Sequence, residues 1–402
     1  MSAPLLLLLP LLAAQSSQDP AGPPAGFSAS LVVVADGSLA VGSESALLGS
    51  LRAGEAGWMV SIQDNGAWAF RVTDGTATLS YLPTAARQGL LDGAPHLIQV
   101  TADRGRSEAR FHFDGRQVAV YEMAGFEAAF DAAPQEWDRT SVRERVFHRR
   151  CWTREETQRR ARERGFHPPP PPELAAGDAF RAMAWNIWHG GREDGEEIGP
   201  RRVAECIRAA RADLVCMQET YGSGALIADA LGFELYLRSS NLSILSRFPI
   251  GETRRLHQPF RFGGARIRLG PDHELDAFVL WINSTPDYWE QMNAERPPDA
   301  EAMVAAERAT RGAEIADILA ELAPLIEDAD GVPLLVAGDF NSGSHLDWTE
   351  AARSAHRGLV GGFPVSLAMA GAGFTDAYLA PRPAPLSAPA HTWSPRLPRA
   401  CP

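Results

Sequence analysis

Lysine is absent from the 402-residue sequence, so every cationic side chain other than histidine is an arginine. The chain is also rich in Ala, Gly and Pro. The missing lysine therefore reads as coding bias and says nothing about the reaction. Cysteine is scarce: Cys151, Cys206, Cys216 and Cys401 form no CxxC pair and no metal-ligand spacing, which excludes a thiolate metal centre. Cys206 and Cys216 fall inside apolar patterns, so buried thiols are expected, with a Cys206–Cys216 disulfide as the alternative in an oxidising compartment. Positive charge is in deficit. A formal net charge of -12 argues against a general nucleic-acid coat and against a polybasic membrane binder.

Long hydrophobic runs are missing too. The longest lies within Met1–Ala14 (Leu5-Leu-Leu-Leu-Leu9-Pro10-Leu11-Leu12) and is too short to span a bilayer. Its length suits the core of a secretory signal, although the usual positive flank is lacking. The expectation is an exported soluble protein, secreted or periplasmic, acting as a monomer, with a signal at 1–14 and a linker at 15–26.

At this length two domains are expected. The first half is dominated by short strands. Trp58–Ile62 and Trp68–Val72 flank Asn65-Gly66, and Phe111–Phe113 and Val118–Tyr121 flank Asp114-Gly115, both strong hairpin signals. With His96–Thr101 they predict an antiparallel β-sandwich. Gly57-Trp-Met-Val-Ser-Ile62, Asp92-Gly-Ala-Pro-His96-Leu-Ile-Gln-Val-Thr101 and Phe113-Asp-Gly115 resemble a concanavalin-like, laminin-G-type, jelly-roll domain over 27–166. The resemblance implies either a glycan- or protein-binding module or a spacer. A closing strand, Val142–Phe147, precedes Thr153-Arg-Glu-Glu156, which has the spacing of a capping box. The arginine-rich run 139–164 reads as a polyanion patch or as a solvated helix face with Arg and Glu three to four apart. Five prolines, Pro168–Pro172, then mark a stiff spacer within a 167–178 linker.

From Ala179 strand-like and helical runs alternate, predicting a layered α/β (α+β) domain over 179–402. Strands are expected at Phe180–Trp185, Asp213–Gln218, Leu242–Ser246, Ala277–Asn283 and Pro333–Asp339. One long helix is expected over Ala300–Leu322 and another near Leu346–Ala355. Polar groups follow four of these strands: Asn186, Glu219, Arg247, and the pair Asp339 and Asn341. Each alone reads as a turn or surface residue. Together they offer hard oxygen ligands for a cation such as Mg²⁺, an arginine able to clamp a phosphate, and an Asp/Asn pair on one side of an extended segment.

The segments Arg181-Ala-Met-Ala-Trp-Asn186-Ile-Trp-His-Gly-Gly191, Asp213-Leu-Val-Cys-Met-Gln-Glu219, Leu242-Ser-Ile-Leu-Ser-Arg247-Phe-Pro249 and Gly338-Asp-Phe-Asn-Ser342 strongly resemble the endonuclease/exonuclease/phosphatase superfamily. The resemblance implies a four-layer sandwich with two packed sheets and in-line hydrolysis of a phosphoester. Carried over, Glu219 becomes the main Mg²⁺ ligand (Mn²⁺ being the alternative), with Asn186 beside it. Asp339 orients or activates water, Asn341 binds the phosphate, and Asp376 in Phe374-Thr-Asp-Ala-Tyr378 supports them. Two departures stand out. The family's histidine at the strand end here reading Trp281-Ile-Asn-Ser-Thr-Pro286 is missing, leaving His257 and His273 as loop candidates. The family's closing Ser-Asp-His segment is also missing after His391-Thr-Trp-Ser-Pro395, so a truncated or frameshifted C-terminus with impaired activity is expected. The rival expectation is a non-catalytic glycan- or polyanion-binding protein with a degenerate hydrolase domain. The tryptophans Trp185, Trp188, Trp281 and Trp289 either line a pocket or, the safer reading, pack.

Overall fold

The computed structural model of the chain describes residues 25–36, 43–137, 141–175, 177–287, 299–381 and 392. The expected leader, Trp289, Cys401 and the tail after Pro381, Thr392 apart, lie outside the described residues.

The first half forms β1 (Gly26–Asp36), β2 (Ser45–Gly49), β3 (Ala56–Ile62), β4 (Trp68–Asp74), β5 (Thr78–Tyr81), the single turn α1 (Ala85–Gln88), β6 (Asp92–Asp103), β7 (Glu108–Phe113), β8 (Arg116–Glu122), β9 (Gln135–Glu136), β10 (Val142–His148) and α2 (Arg154–Glu163). One sheet of the sandwich runs β5-β4-β3-β2-β9 and the other begins β10-β1-β6-β7-β8. The Asp114-Gly115 signal makes the tight β7–β8 turn expected of it, with both residues at positive φ (50° and 79°) and Phe113 opposite Arg116. Between the sheets the rings of Phe27 and Trp58 stack at 4.4 Å, surrounded by buried Trp68, Phe70, Tyr81 and Phe111. The capping box is present: Thr153 Oγ1 accepts from Glu156 N (3.2 Å) and Glu156 Oε2 accepts from Thr153 N (3.0 Å). In the arginine-rich run Arg150 forks onto Glu156 at 2.8 and 2.7 Å, Arg159 pairs with Glu163, and Arg164 with Glu144. These are the contacts of a solvated, paired face.

The second half is mixed α/β: β11 (Ala182–Asn186), α3 (Ile198–Ala210), β12 (Leu214–Gln218), α4 (Gly224–Leu231), β13 (Glu234–Leu237), β14 (Ser243–Ser246), β15 (Ile250–Arg254), β16 (Phe262–Arg268), β17 (Glu274–Trp281), α5 (Ala300–Ala309), α6 (Arg311–Glu327), β18 (Leu334–Asp339) and α7 (Pro364–Gly371). Two expectations need correction. The long helix is broken at Thr310, whose hydroxyl donates back to Ala306 O (3.0 Å) and whose backbone (φ -116°, ψ -92°) leaves the helical region. The helix near Leu346–Ala355 shrinks to a 3-10 turn at Glu350–Ala352, because Ser344, Asp347 and Thr349 close local turns instead.

The proline stretch does not hold two bodies apart. The sandwich sheet continues across it as β8-β13-β14-β12-β11, giving nine strands. β13 pairs in parallel with β8, Leu235 opposite Ala119 and Leu237 opposite Tyr121. Each strand would otherwise present a naked edge. Buried polar groups seal the junction. Gln117 Nε2 donates to Glu234 Oε2 (2.7 Å) and Ile250 O (2.8 Å), Gln88 Nε2 to Asp229 Oδ1 (2.7 Å), and Thr253 Oγ1 to Glu108 Oε2 (2.9 Å). Glu122 takes both Arg238 and the Tyr236 hydroxyl. One hydrophobic core runs from Phe27 and Trp58 to Ile207, Met217 and Leu235. A second lies between β12–β14 and the β15-β16-β17-β18 sheet, and a third between that sheet and α6.

Residues 177–402 expressed alone expose the β13 edge, deprive Glu234 of Gln117 and leave the buried Arg238 guanidinium without the Glu122 carboxylate. They are expected to be insoluble or molten, while the full chain melts in a single cooperative transition by calorimetry. A soluble, folded 177–402 fragment and two separate transitions would contradict the shared sheet.

Candidate active site

Two parallel strand pairs deliver the candidate residues. β11 and β12 run parallel with Asn186 opposite Gln218, so Asn186 and Glu219 leave the sheet side by side. In the other sheet β17 and β18 run parallel with Trp281 opposite Asp339. Just past these strands, Glu219 (φ 54°) and Asn341 (φ 48°) adopt left-handed backbone, which Asn visits readily but which is sparsely populated for Glu and frequent where a site dictates geometry.

The Asn186 carboxamide joins the two sheets. Its Nδ2 donates to Glu219 Oε1 at 3.0 Å and to Asp339 Oδ2 at 3.1 Å, while its Oδ1 accepts from Trp188 N at 3.0 Å. Glu219 Oε2 accepts from His189 N at 3.0 Å. Asp339 Oδ1 accepts from Asn341 N at 2.9 Å, a side-chain turn, and Asn341 Nδ2 donates to Ile282 O at 2.9 Å, leaving its second N–H. Burial, and then the nearby Glu219 charge, push the Asp339 carboxyl above its usual range, against the bonds from Asn186 and Asn341 and the charge of Arg311. Four predicted residues, Asn186, Glu219, Asp339 and Asn341, therefore converge.

The others lie elsewhere. Arg247 does not reach the cluster. β14 is antiparallel to β12 with Ser246 opposite Leu214, which puts Arg247 where β12 begins: Nη2 sits 3.1 Å from Asp213 Oδ1 and the guanidinium 4.7 Å from the Phe248 ring centroid. Glu219 follows the other end of that strand, roughly 17 Å away at the usual rise per residue. The phosphate-clamp expectation for Arg247 is corrected accordingly. Asp376 is exposed, and its Oδ1 accepts from Tyr378 N and Leu379 N, both at 2.9 Å, closing a turn that does not bond to the cluster. His273 sits in the β16–β17 hairpin, at the far end of β17 from Trp281. His257 is on the nearer rim, with Nδ1 3.3 Å from Glu321 Oε1. Cys216 is buried as expected but Cys206 is exposed, and neither is in a disulfide, so the disulfide alternative falls; burial pushes the Cys216 thiol up to about 12. Trp185 and Trp281 pack against the cores as expected, whereas Trp188, beside Asn186, is 43% exposed.

Sequence reasoning missed two supports. Asn241, fully buried, accepts from Glu219 N at 2.9 Å and donates to Phe260 O at 3.0 Å. It sits in Ser-Ser-Asn241, which reads as an ordinary turn, and only the antiparallel β12–β14 pairing puts it beside Glu219. Buried Arg311 donates through Nε to Asn283 O and through Nη2 to Ser284 O, both at 2.7 Å, so it fixes the loop where the family histidine would stand. Its neighbour Glu307 accepts from Ser342 Oγ at 2.8 Å.

Residues 183–398, more than half of the chain, match the family model described as the Endonuclease/Exonuclease/phosphatase family. The chain belongs to that family. At family level it is a hydrolase of phosphoester bonds. A similar protein is "Uncharacterized protein F14F9.5" of Caenorhabditis elegans, 27% identical over 225 residues, covering 54% of this chain and 71% of that one. Similar solved structures include the receptor binding domain of botulinum neurotoxin D (11% identity, 37% of this chain and 40% of that chain, TM-score 0.30). The serotype G binding domain is another (12% identity, 35% and 37%, TM-score 0.28). The chain thus spans well under half of these structures, and likenesses so low carry no argument; the sandwich rests on its own strand register.

Enzymes of the endonuclease/exonuclease/phosphatase family generally use divalent metal ions. Among the described residues no group of three or more His, Cys, Asp and Glu side chains could hold one. Two carboxylates converging on one carboxamide still supply hard oxygen donors, suiting a cation that keeps several of its waters.

Asn241→Ala removes the acceptor for Glu219 N and leaves that half-buried amide unpaired. It is expected to lower stability by about 1–3 kcal/mol, read as a lower urea midpoint at unchanged slope. An unchanged midpoint would show that the amide is satisfied without Asn241.

Proposed function

We propose that the protein is a metal-dependent phosphoester hydrolase whose centre is Asn186, Glu219, Asp339 and Asn341. The observation carrying this reading is the Asn186 carboxamide bridging Glu219 at 3.0 Å and Asp339 at 3.1 Å, which brings groups from two sheets to one point. Glu219 would hold Mg²⁺, or Mn²⁺ in its place, with Asn186 beside it. Bound there, the cation would supply neutralisation of charge on a phosphoryl oxygen and on the leaving oxygen. Asp339, fixed by Asn186 on one oxygen and by Asn341 N on the other, orients the attacking water in line with the phosphorus. The second N–H of Asn341 Nδ2 holds a non-bridging phosphate oxygen. Exposed Trp188 and Phe260 leave apolar surface on the rim beside these groups. The helices outside and two sheets inside support a four-layer sandwich for this half. Export, resting on the apolar run before Ala14, belongs to the same reading.

The test is hydrolysis of bis-p-nitrophenyl phosphate by the full chain, with Mg²⁺ and with EDTA. Glu219→Ala is expected to reduce metal-dependent turnover at least about 100-fold with an unchanged circular dichroism spectrum, and Arg247→Ala to leave it near wild type. Turnover that survives both EDTA and Glu219→Ala would remove the cluster from the mechanism.

A further inference from the structure

A chain of buried polar contacts leads from the sandwich to Glu219. Glu122 closes β8, and its side chain is 2% exposed. One of its oxygens accepts from the Tyr236 hydroxyl and the other from Arg238 Nη1; Arg255 Nε lies 3.7 Å away. The Arg238 side chain, 3% exposed, turns three further donors onto one loop. Nε donates to Phe262 O at 2.8 Å, and Nη2 to Leu256 O and His257 O, each at 3.0 Å. That packing leaves no room for a Cβ at Gly263. The same loop carries Phe260, whose carbonyl takes Asn241 Nδ2 at 3.0 Å, and Asn241 Oδ1 takes Glu219 N at 2.9 Å. Asn241 O also takes Thr220 N at 3.1 Å. The loop reaches the second carboxylate's strand as well, since Trp281 N donates to Arg261 O at 3.0 Å and Trp281 lies opposite Asp339.

We propose that the β-sandwich is a working part of the hydrolase, with Glu122 and Arg238 as positioning residues that hold the 256–262 loop, and through Asn241 the backbone of Glu219, in place. This inference rests on the proposed function for its consequence in turnover but not for its structural content. A buried charge pair is weak grounds for extra stability, because its desolvation cost is large. What this pair does supply is direction: a guanidinium anchored on the sandwich aims three donors at a loop that would otherwise have unpaired carbonyls. The rival reading is that Glu122–Arg238 merely fastens the two halves together. Gln117, at the opposite end of the same strand pair and bonded to Glu234, is the control that separates them.

Amide hydrogen exchange of the full chain decides. In Glu122→Gln the amides of Glu219–Tyr221 and of 256–262 are expected to exchange about five- to tenfold faster, while Gln117→Ala leaves both segments at the wild-type rate. Arg238→Lys, which keeps a charge beside Glu122 but loses the fork, is expected to behave as Glu122→Gln does and decides the matter if that variant fails to fold. In turnover of bis-p-nitrophenyl phosphate both variants lower kcat with little change in KM. Unchanged exchange at Glu219–Tyr221 in both variants overturns the proposal, as does equal acceleration by Gln117→Ala. Faster exchange at those amides in a protein that hydrolyses neither bis-p-nitrophenyl phosphate nor p-nitrophenyl phosphate would uphold the positioning path and count against the proposed function instead.

Discussion

The parallel pairing of β8 with β13 is the constraint on which the rest depends. A sandwich of this size must finish somewhere, and a finished sheet leaves an edge of unpaired N–H and C=O groups. Here each half covers the other's edge. Once the strands are joined, Glu234, Asp229 and Glu122 are forced into the seam, and each has to find a donor there. A hydrophobic core continuous from Phe27 to Leu235 follows from the same pairing. The two halves therefore form one physical unit, although their sequences look like a module and an enzyme strung together.

Within that unit the candidate centre is the meeting point of two sheets, and Asn186 makes them meet. Two carboxylates near each other repel, and burial penalises each further. A neutral carboxamide with two N–H groups can serve both at once. That residue type explains how Glu219 and Asp339, 120 positions apart in the sequence, share a site.

Much of this was legible in the chain. Strand alternation gave β3, β4, β6, β7 and β8, and turn chemistry gave the Asp114-Gly115 hairpin. The Thr153/Glu156 spacing gave a true capping box. Of the six expected site residues, the structure brings together the four strand-end residues Asn186, Glu219, Asp339 and Asn341. What escaped was everything set by pairing across long sequence distances. Proximity to a strand end suggested Arg247, but the antiparallel run of β14 carries it to the wrong end of the sheet and carries Asn241 to the right one. The five prolines read as a boundary by composition, yet composition carries no information about which edges pair across it, and one sheet runs through. The break at Thr310 likewise depends on a single hydroxyl turning back on its own helix.

The shared sheet also sets an order of events at the ribosome. The β8 edge is complete when Glu122 has emerged, but its partner, Glu234–Leu237, is synthesised roughly 110 residues later. At the usual elongation speed of about 5–20 residues per second, that is a wait of some seconds to tens of seconds. Throughout it the nascent sandwich carries an open edge with Glu122 still lacking Tyr236 and Arg238, and the contact that closes it is among the least local in the molecule. The growing chain thus passes through a window in which self-association competes with completion, and a holding chaperone acting on the β8 edge would matter more here than for a sandwich that closes on itself.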